Sequence, residues 1–175
     1  HLKQTVFYRK KSEELGLGAF LSVNQGSSQE VAFTILEYNS GVENAKTVGL
    51  VGKCVLFDTG GISIKGSENL HYMKSDMGGA TAVIGALIAA AKMKIPVNLV
   101  VILPITDNAV SNTAYIPSDV VTAYNGKTIE VLNTDAEGRM TLADGLSYLS
   151  KNYKTDALID LATLTGSSVR MFGYT

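Results

Sequence analysis

Three short polar clusters interrupt an otherwise apolar chain, and each sets carboxylates or amines where an apolar run ends. The first, residues 53–65, reads Lys-Cys-Val-Leu-Phe-Asp-Thr-Gly-Gly-Ile-Ser-Ile-Lys. Asp58 falls where the apolar run stops, and the glycines after it let a ligand or metal come close to the main chain. Lys53 lies inside that run, where a buried ammonium is costly without a partner. The plain alternative is an edge lysine that snorkels to water. The second cluster, residues 73–79, places Asp76 just ahead of a helical segment, where simple helix capping also accounts for it. In the third, residues 133–139 (Asn-Thr-Asp-Ala-Glu-Gly-Arg), Asp135 and Glu137 are two apart and share a face if the backbone is extended. Two carboxylates on one face repel unless a cation lies between them, which favours metal.

Competing chemistries fit less well. Asn133, Asp135, Glu137, Gly138 and Asp144 parse as a degenerate calcium loop, but that motif needs a preceding helix and prefers Glu at its last position. Residues 59–65 lack the order of a phosphate-binding loop. His1 and His71 form no pair at zinc-motif spacing, and Ser-His-Asp catalysis would rest on His71 alone. Several carboxylates around one crevice, with an amine, suit hard or borderline divalent metals, and their number suggests two.

The elements that must position these groups alternate. Residues 2–15 read as an amphipathic helix ended by Gly16 and Gly18. Residues 31–38 and 47–57 read as strands, with a turn at 39–41, and the second is apolar on both faces as a central strand requires. Residues 78–94 predict a buried helix closed by Pro96, and 98–105 a strand. A hairpin is expected at 120–132 around Asn125-Gly126, then a helix over 139–152 and a buried strand over 157–164. The fold class is therefore α/β: a layered, mixed but mostly parallel sheet flanked by helices, with the site at the carboxyl ends of the strands.

Composition narrows the partners. At 175 residues with 46% hydrophobic and 18% charged residues, a single well-buried domain is expected. A net charge of −1 with no dense basic run disfavours nucleic acid. The longest apolar stretches, 81–91 and 97–105, fall short of a membrane span. One cysteine, Cys54, forms no intrachain disulfide, and no leader-like segment opens the chain, so the cytoplasm is the expected location. The absence of an initiator Met at His1, and a strand leading into a further element near 159–173, predict a piece of a longer chain.

The three clusters resemble, in order and spacing, the signature segments of the leucyl (cytosol) aminopeptidase family. The likeness extends through residues 18–28, 108–120, 142–146 and 162–166. By that resemblance Lys53, Asp58, Asp76, Asp135 and Glu137 are metal ligands, with Asp58 and Glu137 bridging two cations. Lys65 and Arg139 are catalytic. Met73, Asn133, Thr163 and Leu164 line the substrate site. The resemblance implies zinc, with manganese, magnesium or cobalt in a more exchangeable site, bicarbonate at Arg139, peptide substrates with a free N-terminus, a leucine-like preference and a homo-hexamer. It also implies that residues 1–175 are part of a catalytic domain, without the family's N-terminal domain and the C-terminal half of the catalytic one. Departures are Cys54 and Ser118 where glycine is usual and Val110 for a common proline; none removes a ligand. A two-metal phosphoesterase and a non-catalytic binding protein on the same fold are the alternatives.

Overall fold

The computed structural model describes residues 2–173. A six-stranded sheet runs in the order β1-β2-β5-β3-β8, with β4 also paired to β5. The strands are β1 (Leu2–Phe7), β2 (Ala32–Tyr38), β3 (Lys46–Gly52), β4 (Cys54–Asp58), β5 (Val97–Asn108) and β8 (Ala157–Leu161). β3 and β4 both run parallel to β5, and β8 parallel to β3, while β1 and β2 are antiparallel. A separate hairpin pairs β6 (Val120–Thr122) with β7 (Thr128–Glu130). The helices are α1 (Arg9–Leu15), α2 (Gly18–Val23), α3 (Gly78–Met93), α4 (Glu137–Asn152) and α5 (Ser167–Phe172).

Alternation along β5 builds one core on each face of the sheet, and a third, smaller one joins α2, α4 and the hairpin. Leu99, Val101 and Leu103 pack with Leu50 beneath Ala80, Val83 and Leu87 of α3. Val100 and Ile102 pack on the other face with Val51, Phe33, Phe20 of α2, and Leu142 and Leu149 of α4. The result is the α/β layered, mixed and mostly parallel sheet between helices that the sequence predicts. Cys54 is a buried free thiol in the α3-side core, its pKa pushed up to about 11 by burial.

Several local expectations are corrected. Residues 2–15 are not one helix: Leu-Lys-Gln-Thr-Val-Phe forms β1 against β2, and only Arg9–Leu15 is helical. Cross-strand pairing of the β-formers Thr5, Val6 and Phe7 overrides the apparent helical spacing. The strand expected over 47–57 is interrupted at Lys53, although β4 resumes on β3's register along β5 and shifts it only between Val55 and Asp58. At the break Lys53 N donates to Leu161 O (3.0 Å) and Lys53 O accepts from Ala80 N (2.9 Å), so its backbone serves β8 and α3.

α3 is buried only along Gly79, Ala80, Val83, Leu87 and Ala90, with its other face exposed. By length and composition alone the helical run Leu70–Met93 could cross a membrane. It consists of a 3-10 turn (Leu70–Ser75) followed by α3, whose inner face packs on the sheet. β8 is likewise exposed rather than buried, because it pairs only with β3 and ends at Leu161. In the hairpin Gly126 takes φ 83° while Asn125 does not adopt positive φ, so the turn is longer than a two-residue Asn-Gly turn.

Candidate metal centre

The segments leaving the parallel strands converge on one cavity of about 650 Å³. Lys53 comes directly after β3, Asp58 closes β4, Thr163 and Leu164 come after β8, and Asp76 precedes α3. Asp135 lies in a 3-10 turn (Thr134–Ala136) and Glu137 opens α4. Lys65, Met73, Asn133 and Arg139 complete the wall, so every site residue expected from the sequence lines this space. Asp135 and Glu137 reach it by a tight turn into a helix, not by the extended backbone that their spacing suggested. Asn133, which is extended, holds that turn by accepting from Asp135 N at 2.8 Å.

Lys53 does not snorkel. It is 3% exposed, its Nζ lies 2.7 Å from Asp76 Oδ2 and 2.8 Å from Glu137 Oε1, and it donates to Thr163 O at 2.9 Å. Its stem passes over the first turn of α4, where a Cβ on Gly138 would stand 2.8 Å from Lys53 Cδ and Cε. Asp76 does not cap α3; its Oδ1 accepts from Thr163 Oγ1 at 2.7 Å. Lys65 Nζ sits 3.0 Å from Asp58 Oδ2 and 2.5 Å from Asp135 Oδ1. Asp144 lies away from this group, accepting from Phe20 N and Tyr124 N, which removes the calcium-loop reading.

Four carboxylates therefore meet two ammoniums, and negative charge is in excess. Burial and the neighbouring Asp58 push the Glu137 pKa up to about 7, although Lys53 pulls the other way. For Lys65, burial works against the charge, but ion pairs to Asp135 and Asp58 outweigh it and raise the pKa. Burial, together with Glu137, Asp58 and Asp135, also raises that of Tyr115. Oxygen atoms of Asp58, Asp76 and Glu137, all buried, lie within 4.8 Å of one another. Glu137 Oε2 has no hydrogen-bond partner among the described residues. An unpaired buried carboxylate oxygen facing like charges is expensive, and a divalent cation relieves it, so the donor set fits such an ion.

The groups that hold these carboxylates in place are less evident from the sequence. Thr134 is fully buried, donates through Oγ1 to Gly60 O (2.7 Å) and accepts from Ser63 N (2.8 Å), tying the first cluster to the third. Tyr115 donates to Thr134 O at 2.9 Å. Asn108 ends β5 as Asp58 ends β4, and a polar residue closing an apolar strand was the signal available for it.

Comparison with known proteins agrees with this geometry. The chain matches the sequence model described as "Cytosol aminopeptidase family, catalytic domain" over residues 1–175. A probable cytosol aminopeptidase of Chlorobium limicola is 52% identical over 170 residues, 97% of this chain and 34% of that protein. Those of Chloroherpeton thalassium and Rickettsia massiliae are 51% identical over 173 residues and 48% identical over 170, again covering 34% of each. The chain thus spans about a third of the length of these relatives. From the clusters, the cavity they enclose and these matches, the chain belongs to the cytosol aminopeptidase family.

Proposed function

We propose that this chain carries the metal-binding core of an aminopeptidase that releases the N-terminal residue of peptides, with a leucine-like preference, using two divalent cations. The observation that carries it is the buried trio Asp58, Asp76 and Glu137 with its partnerless Glu137 Oε2. Lys53, Asp58, Asp76, Asp135 and Glu137 would hold the ions, zinc foremost, with manganese, magnesium or cobalt able to replace it at one site. When bound, such cations supply Lewis acidity toward the scissile carbonyl and acidify a water from about 15.7 to about 7.

The chain's own groups supply the rest. Lys65 keeps its proton across neutral pH, because Asp135 and Asp58 stabilise the ammonium. Held at the cavity wall, it can donate to the oxyanion that develops on the carbonyl. Lys53 is the opposite case: to act as a ligand its Nζ must release a proton, and Asp76, Glu137 and the Thr163 carbonyl already aim it at the trio. Arg139 is exposed on the cavity wall, where its guanidinium suits an anion such as bicarbonate acting as proton shuttle. Met73 and Leu164 give the cavity apolar wall for an aliphatic side chain, and Asn133 and Thr163 offer polar contacts. A cytoplasmic location belongs to the same proposal, supported by the relatives' printed name, and a homo-hexamer belongs to it as what the sequence resemblance implies.

Elemental analysis paired with leucine-amide hydrolysis, on protein extended to the relatives' full length, tests this. About two metal ions per chain and activity that chelation abolishes are expected. Metal-independent hydrolysis, or metal with phosphoester but no peptide cleavage, would refute it.

A further inference from the structure

Asn108 is fully buried at the end of β5, and its one amide group meets both loops that carry the proposed ligands. Nδ2 donates to Asp58 Oδ1 at 2.8 Å and to Thr134 O at 3.0 Å. Gly60 N donates to the same Asp58 Oδ1 at 2.9 Å. Two N–H groups thus engage one carboxylate oxygen, and Oδ2 is the oxygen that faces Lys65 and the cavity. The Asn108 carbonyl also accepts from Thr59 N (3.0 Å) and Thr59 Oγ1 (2.8 Å), pinning the backbone just past Asp58.

The other end of the bridge is equally specific. Thr134 immediately precedes Asp135 and stands three residues before Glu137. Asn108 Oδ1, meanwhile, has no hydrogen-bond partner among the described residues. A buried acceptor without a partner lowers stability, so what this amide contributes here comes from its donor side. A neutral donor also suits the place: a carboxylate there would add to the charge excess, and an ammonium would compete with a cation.

We propose that Asn108 is a positioning residue of the metal centre, fixing Asp58 with Oδ2 forward and holding the Asp135–Glu137 turn in register with it. Asn108 itself does not line the cavity. The inference rests on the metal-binding reading of Asp58, Asp135 and Glu137.

The test strips metal from the wild-type protein, Asn108→Ala and Asn108→Ser, checks each fold by circular dichroism, and titrates Co²⁺ while following its visible absorption. Tyr115→Phe serves as control, since it removes the other donor to Thr134 O without touching Asp58. The Asn108 variants should bind Co²⁺ about 10- to 100-fold more weakly, the usual cost of losing a group that orients a ligand, with an altered absorption band. Tyr115→Phe should lower the melting temperature while keeping band and affinity. An unchanged band and affinity in the Asn108 variants overturns the proposal. So does an equal loss in Tyr115→Phe, or failure of both Asn108 variants to fold, because each makes the role merely structural. If the wild-type protein itself takes up no Co²⁺, the metal-binding reading fails and the proposal falls with it.

Discussion

Lys53 and Lys65 bring the same ammonium to the same cavity, yet their surroundings differ, as the proposed ligand and catalytic roles require. Lys53 is sealed between Asp76 and Glu137, whereas Lys65 is 24% exposed and reaches in from the wall. Lys65→Ala should leave metal content near wild type while kcat for leucine amide falls by roughly 10²-fold or more, the scale of losing an oxyanion donor. Lys53→Ala should empty one site. Metal lost from the Lys65 variant and kept by the Lys53 variant would reverse the two roles. Glu137 offers a second check through pH. Its folded pKa of about 7 lies above the ordinary 4.5, so the metal-free fold holds a proton there that the unfolded chain releases. Stability contributed by that proton is full below the unfolded value and is lost as pH rises through about 7. Metal-free Glu137→Gln, neutral throughout, should lack this part of the decline in melting temperature and should lose metal and activity together. Full occupancy with normal turnover in that variant would sink the assignment.

At the scale of elements, close approach of backbones decides whether the ligands meet. A Cβ on Gly79 would stand 2.0 Å from Leu161 O and 2.7 Å from Leu161 C, main-chain atoms that have no rotamer to yield. Gly79→Ala should therefore push α3 off β8, lower stability by about 1–3 kcal/mol as overpacking does, and loosen the Thr163–Asp76 bond that spans them. Thermal melts and Co²⁺ titration would show both effects, and an unaltered melt would mean that the two elements are less tightly fitted. The same scale explains what could be read from the sequence. The order of elements and the three clusters were legible because apolar runs, glycines and carboxylates mark strand ends locally. The β1 pairing was not, since residues 2–7 become a strand only when β2 lies beside them. Nor was the exposure of β8, which depends on its position at the sheet edge and not on its composition. The strand end at Asn108 was marked in the sequence, but the contacts that give Asn108 and Thr134 their task span 26 to 74 residues and are invisible in any one segment.

The whole molecule leaves one side of its sheet uncovered. Among the described residues only β8 lies beyond β3, and Leu158, Ile159 and Leu164 on and after it are 37%, 50% and 40% exposed. α5 adds Met171 and Phe172, 77% and 75% exposed, beside the cavity wall that Ser168 and Val169 form. Surface of this kind promotes association unless something packs on it. All the proposed ligands and both proposed catalytic residues lie between Lys53 and Arg139, so metal uptake asks less of that edge, which reaches the ligands only through Thr163 and Leu161. The proposed substrate site asks more, because Thr163 and Leu164 stand on the uncovered strand's own continuation. Since the chain spans about a third of its relatives' length, we expect protein extended past Thr175 to hydrolyse leucine amide far faster than the 175-residue chain at equal metal content. The shorter chain should sediment as mixed aggregates, and a monodisperse 175-residue protein with the same rate would show that the exposed edge needs no cover.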